Sequence, residues 1–288
     1  MKTYKNINFP LERALYAEKN IKLHGCSFSG AEDGESALKE TKNVEAKKCR
    51  FELRYPLWHT KGAEIIDCVM TNTCRAALWY SSDIKITKST LSGIKAVREC
   101  DRVSIEDSFV SSPEFGWKSK NIEVKNTEIS GEYPFFLSQN LRFYDVKLNG
   151  KYSFQYIENG VFENCIFETK DAFWHAKNVT VKNSVIKGEY FSWYSENLTL
   201  INCKIIGTQP LCYCKGLRLI GCKLEDADFA FEYSEVEADI KGDIISVKNP
   251  LSGKITADSI GEIILTDDSV YKPECKIEKR QQRGETIL

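Results

Sequence analysis

Apolar and polar residues alternate over short stretches of this chain, and the stretches themselves recur. In AFWHAKNVTVKNSVIKGEY, residues 172–190, Val179 and Val181 flank the polar Thr180, and Ile186 follows. The next stretch, FSWYSENLTLINCKIIGTQ, residues 191–209, repeats the pattern with Leu198, Leu200 and Ile205. Alternation with period two predicts a strand that buries one face. Repetition at fixed spacing decides the architecture before any single element does. Cuts at Ala14, Ala37, Pro56, Ala77, Ala96, Phe115, Pro134, Ser153, Ala172, Phe191, Pro210 and Phe229 leave twelve units. Most are 19 residues long, the first being 23 and the third 21.

With each unit numbered from 1 to 19, the positions acquire characters. Position 7 is Asn at Asn20, Asn43, Asn121, Asn140, Asn159, Asn178 and Asn197, with Gly62, Asp83 and Gly216 in other units. These residue types tolerate left-handed or turn backbone. Positions 8, 10 and 15 are mostly apolar, position 13 is small and often Cys, and position 17 is often Gly. Each unit reads as three short strands joined by tight turns, with no room for a helix of ten residues. Leucine-rich repeats need a Leu and Asn spacing that is absent, and propeller blades need roughly 40 residues. Three strands per 19 residues is one coil of a parallel β-helix. The expected fold is therefore all-β, a single-stranded right-handed parallel β-helix of about 12 coils, the hand being that of parallel crossovers. Coils stacked about 4.8 Å apart make a rod of roughly 55–60 Å.

One domain is expected over residues 1–271. Residues 1–13 cap its open end, 14–247 form regular coils, and 248–271 form a final coil or cap. The segment 272–288, KPECKIEKRQQRGETIL, is charged and unpatterned and reads as a loose tail.

All five tryptophans fall at position 3: Trp58, Trp79, Trp117, Trp174 and Trp193. Tyr16, Phe136 and Phe231 align there too, as do Lys39, Arg98, Gln155 and Cys212. Position 2 is almost purely apolar, and neighbouring strand residues point opposite ways. Charges at Lys39 and Arg98 inside a narrow core would be costly. The row at position 3 is therefore expected to face solvent, the alternative being an aromatic stack turned into the core. A line of exposed aromatics marks an interaction surface. Candidate ligand-binding residues are Trp58, Trp79, Arg98, Trp117, Phe136, Trp174, His175 and Trp193, with Arg75, Glu132 and Glu189 beside them. Rings can stack on apolar sugar faces while charges bind hydroxyls, or the same residue types can anchor a protein.

Catalytic chemistry is less marked. Glycoside hydrolysis needs two carboxylates about 5–9.5 Å apart. No such pair stands out, and Glu132 and Glu189 lie three coils apart, roughly 14 Å. His175, between Tyr156 and Tyr194 in the stack, and His59, between Glu40 and Tyr80, are the candidate proton-transfer groups. The chain contains no nucleophile elbow, phosphate loop or HExxH.

Charge and cysteine content narrow the partners. With 40 basic and 41 acidic residues, nucleic acid is not expected. No run of 18 apolar residues occurs, so no membrane span is expected. The N-terminus lacks the apolar core of a signal peptide. Eleven cysteines, an odd number in a long chain, read as reduced thiols of a cytoplasmic protein. Those at position 13 are expected to pack as small apolar residues. Cys212 and Cys214 form a CxC too weak to imply a metal, and neither metal nor cofactor is expected.

ERALY, ESALKE, YPLWHT, RAALWYSSDI, AFWHAKNVTVKNSVIKGEYFSWYSENLTLINC, PLCYCKGL, AFEYSEVEADI and SVKNPLSGKI together resemble a family of bacterial proteins, domain of unknown function 3737, over roughly residues 10–265. The resemblance implies a right-handed β-helix of the pectate-lyase-like type and transfers no catalytic residue. By fold-level analogy it favours carbohydrate as ligand. The leading expectation is a binding scaffold that presents an aromatic and charged face to a glycan or a protein. A carbohydrate-active enzyme, lyase-like or glycoside hydrolase-like, is the alternative. A structural rod that forms homo-oligomers through that face is the third reading.

Overall fold

The computed structural model describes residues 1–31 and 34–280. Its chain winds into a right-handed parallel β-helix of about 15 turns that recur about every 19 residues. At the strand spacing this is a rod of about 70 Å. Residues at positions 6–11 form the long strands, such as Gln139–Tyr144, Glu158–Glu163 and Lys177–Lys182. Each pairs in parallel with its copies in the coils before and after, so Leu141 stands beside Gly160 and Gly160 beside Val179. Shorter strands such as Lys147–Lys151 and Ile166–Lys170 form a second sheet.

The pattern of positions explains this winding. Side chains at positions 8, 10 and 15 fill the interior: Val179, Val181 and Ile186 of one coil are each buried. Stacking puts like on like, and Phe28 lies on Phe51 with ring centroids 5.0 Å apart and planes 2° apart. Position 7 turns the corner into the long strand. Asn121, Asn140, Asn159, Asn178 and Asn197 all have φ between +54° and +59°. Their side-chain amides link coil to coil, Asn140 Nδ2 donating to Asn121 Oδ1 at 3.0 Å. A second left-handed corner at position 12 carries Asp107, Asn126, Asp145, Asn164 and Asn183. Position 17 is Gly because the backbone of the preceding coil passes there: a Cβ on Gly150 would lie 1.9 Å from the Gly131 carbonyl oxygen.

The position-13 column packs inside the fold. Its thiols and hydroxyls cap backbone N–H groups of the preceding coil. Cys49 N–H reaches Cys68 Sγ at 3.3 Å, and Cys165 N–H reaches Ser184 Oγ at 2.9 Å. A second such column, unnoticed in the sequence, runs at position 5 through Thr60, Ser81, Cys100, Ser119 and Ser138, all buried. There Cys100 N–H donates to Ser119 Oγ at 3.1 Å. Cys212 and Cys214 are buried as well, and burial pushes the Cys214 thiol up to about 11.

Three expectations change. The third side of the regular coils is not a strand: among the described residues, only Leu78–Trp79 and Val97–Arg98 pair there, apart from isolated bridges, before Asp243–Lys248 pairs with Ser259–Ile264 near the end of the rod. Alternate residues at positions 19, 2 and 4 hold positive φ instead, as in Tyr152, Phe154 and Tyr156 at +59°, +59° and +57°. This turn face is still tied to its neighbours in both directions. Phe154 N–H donates to the Pro134 carbonyl of the coil before, and Tyr156 N–H to the Trp174 carbonyl of the coil after.

The last repeat is also displaced by one residue. Phe231 N–H bonds the Pro210 carbonyl as Leu211 N–H bonds that of Phe191. Phe231 therefore stands at position 2, fully buried, and the repeat begins at Ala230. At the ends, Lys2–Lys5 pairs with Lys19–His24, and Phe9 stacks on Phe28 at 5.1 Å. Within the stretch read as an unpatterned tail, Lys276–Lys279 pairs with Ser252–Ala257. Residues 281–288 of that stretch lie outside the described residues.

Candidate functional site

The turn face gathers the aromatic residues. Position 2 fills the core, with Leu57, Leu78, Phe154 and Phe173 fully buried. Position 3 lies outside that core, yet each of the five tryptophans is half-buried rather than open. Stacking causes this. Trp58 and Trp79 lie 5.1 Å apart at 10°, and Trp174 and Trp193 lie 5.3 Å apart at 3°. Cations close the first stack, Lys39 Nζ at 3.9 Å from the Trp58 ring and the Arg98 guanidinium at 4.9 Å from that of Trp79. Trp117 leans on Phe136 at 5.3 Å. Indole N–H groups of Trp117, Trp174 and Trp193 donate to the carbonyls of Tyr133, Tyr190 and Gln209, each at 2.7 Å. Those of Trp58 and Trp79 are buried without a partner. Trp58 lies within the longer 21-residue unit and Trp79 in the coil that follows it.

The faces of these rings are therefore occupied by protein. What the expectation of sugar-stacking tryptophans missed is ring orientation: rings stacked along the rod axis turn their edges, not their faces, to solvent. The row is also broken, because Gln155 turns inward and donates to the Asp171 carbonyl at 2.9 Å.

The other predicted residues distribute along the face. Glu132 pairs with Lys151 at 3.3 Å and Glu189 with Lys170 at 3.8 Å, so neither carboxylate stands alone. Arg75 is exposed on the longer coil. His59 pairs with Glu40 at 3.4 Å. Glu99 is pushed up by burial, but the Tyr80 hydroxyl and the Arg98 guanidinium outweigh that and hold it below the usual range.

A second aromatic column at position 4 is more open. Tyr156, His175, Tyr194 and Tyr213 stack in order at 4.6, 5.0 and 4.7 Å, within 13° of parallel. Burial between the tyrosines holds the His175 imidazole below its ordinary value. Beside this column runs a groove of about 530 Å3. One wall is Leu137 and the edges of Tyr156, His175 and Tyr194; the other is the position-6 column of Gln139, Glu158, Lys177 and Glu196. Of these, only His175 is among the residues singled out from the sequence as binding candidates. The position-6 charges carried a signal, four polar residues in register, but nothing in one dimension showed that they share a groove with position 4. Among the described residues, no cluster of three or more His, Cys, Asp or Glu could hold a metal.

A family model described as "Protein of unknown function (DUF3737)" matches residues 2–278. No curated protein matches the chain. Among solved structures, the A-module of the mannuronan C-5 epimerase AlgE4 of Azotobacter vinelandii is similar at 9% identity and TM-score 0.31, with 90% of each chain covered. PfbA, a surface adhesin of Streptococcus pneumoniae, is similar at 9% identity and TM-score 0.30, covering 96% of this chain and 82% of that one. Neither likeness bears on activity.

Proposed function

We propose a function from the site itself, because this chain belongs to DUF3737, a family of proteins of unknown function: it is a binding scaffold whose turn-face groove holds a short oligosaccharide. The observation that carries this reading is the groove. It is an open trough of about 530 Å3 along the coils. Its two walls differ in chemistry. Tyr156, Tyr194 and Leu137 are 43–45% exposed and offer apolar edges with phenol hydroxyls. Gln139, Glu158, Lys177 and Glu196 offer donors and acceptors at each coil. Sugars present the matching mixture of C–H surface and hydroxyls. Recognition runs through ring edges and hydrogen bonds, not ring-face stacking.

Binding is favoured over hydrolysis by Lys177. Glu158 and Glu196 stand two coils apart, about 10 Å by strand spacing. Lys177 lies between them in the column and pairs with Glu196 at 3.3 Å, where a hydrolytic pair needs room for water or a sugar carbon.

A glycan array followed by calorimetry tests the reading. Wild type is expected to bind oligosaccharides, and Tyr156→Ala with Tyr194→Ala to weaken that binding at least about tenfold, or ~1.4 kcal/mol. Circular dichroism of the variant checks that the coils remain. Absence of any glycan ligand for wild type, or unchanged affinity in the folded variant, overturns it.

A further inference from the structure

We propose that the occupant of this groove carries a positively charged amine, as an oligosaccharide of amino sugars does, and that Glu158 is its anchor. The inference rests on the binding reading above and adds the ligand's chemical class.

Charge pairing on the turn face points there. Glu99 pairs with Arg98 at 3.1 Å and Glu132 with Lys151 at 3.3 Å. Glu189 and Glu196 likewise have Lys170 and Lys177 at 3.8 and 3.3 Å. Glu158, which shares position 6 with Glu196, has no such partner among the described residues, nor has Glu235 at position 6 of the last repeat, outside the groove. Its column neighbours are Gln139 in the coil before and Lys177 in the coil after. Gln139 carries no charge, and Lys177, the single cation between Glu158 and Glu196, reaches Glu196.

The opposite wall adds no cation. Tyr156 and Tyr194 are neutral, and burial keeps the His175 imidazole from taking a proton readily near pH 7. The charged lining therefore sums to one uncompensated carboxylate, beside ring edges and an exposed Leu137. An ammonium on a sugar ring would pair with Glu158 while its neighbouring hydroxyls meet Gln139 and the Tyr156 phenol. A polyanionic glycan would meet Glu158 as a like charge and find the groove's one lysine already paired. Such an exposed pair contributes modestly to affinity and more to discrimination, and it is weakened by salt.

The test compares four probes by calorimetry at low salt: a glucosamine tetramer, its fully N-acetylated counterpart, an oligouronate of equal length, and an oligolysine peptide. Wild type is expected to bind the glucosamine tetramer about threefold or more tighter than the acetylated one at low salt, a ratio worth ~0.7 kcal/mol. The oligouronate is expected to bind weakest of the sugars. Glu158→Gln, an exposed and near-isosteric change, is expected to bring the two amino-sugar probes to equal affinity while the fold, followed by circular dichroism, is unchanged. Equal binding of both by wild type, or preference for the oligouronate, overturns the amine and leaves the oligosaccharide reading standing. Binding of oligolysine more tightly than any sugar overturns the inference in favour of a basic protein segment. Binding of none overturns both readings together.

Discussion

Asn159 shows how one residue serves two purposes. Its φ is +59°, and its side chain donates to Asn140 at 3.2 Å and accepts from Asn178 at 3.3 Å. Alanine loses both advantages, since left-handed backbone costs most residues roughly 1–2 kcal/mol. Glycine restores the backbone and loses only the exposed side-chain bonds. Asn159→Ala is therefore expected to lower urea stability by about 1–2 kcal/mol and Asn159→Gly by clearly less. Equal losses would show that the backbone is not the cause. His175 gives a pH signature. Burial sets its folded pKa below the unfolded value of 6.5, so the folded state resists protonation. A depressed folded value means the stability is present above 6.5 and lost as pH falls below it toward the folded pKa. Between pH ~7.5 and ~5.5, wild type is expected to lose more in Tm than His175→Phe, which keeps the stacked ring without the titration.

At the scale of the coil, two small-residue columns close the corners. Ser184 accepts from Cys165 N–H at 2.9 Å and donates to the Lys182 carbonyl at 2.6 Å. Ser184→Ala leaves a buried N–H without its partner, at a cost of about 1–3 kcal/mol. Ser184→Cys is expected to cost less, because Cys68 caps Cys49 N–H in the same way. Thermal denaturation of the pair decides; an equal loss would mean that the corner depends on volume alone. This also explains why Cys, Ser and Thr interchange at position 13: each fits the corner and each offers a lone pair and a proton. The position-5 column follows the same rule. It escaped sequence reading because Ile157 and Ala176 interrupt it, so composition there is less uniform.

Along the whole rod, the tryptophans tie coils together. Trp58 with Trp79, and Trp174 with Trp193, stack closely enough to couple their transitions. A far-ultraviolet circular dichroism couplet is expected, reduced in Trp193→Phe and unaffected by Glu158→Gln. No change in Trp193→Phe would contradict the stacked geometry. The same stacks cover the ring faces at position 3 and move the proposed binding surface to position 4, where Tyr156 and Tyr194 keep open edges beside a charged wall.

The sequence by itself determined the winding. A 19-residue period, apolar residues at positions 8, 10 and 15, Asn at position 7 and Gly at position 17 each answer a local demand of strand, corner or close backbone contact. Such demands recur identically in every coil and so are written in one dimension. It also favoured position 2 inside and position 3 outside, from the cost of burying Lys39 and Arg98, and left open which way the tryptophan row faces. Only the tertiary structure decided that the third side is a run of left-handed turns, because φ alternation leaves no hydrophobic signature different from a strand. It alone decided that the indole faces are covered and that Glu158 lacks the partner its neighbours have. Those properties depend on how side chains of successive coils meet, a distance of about 4.8 Å in space that is nineteen residues along the chain.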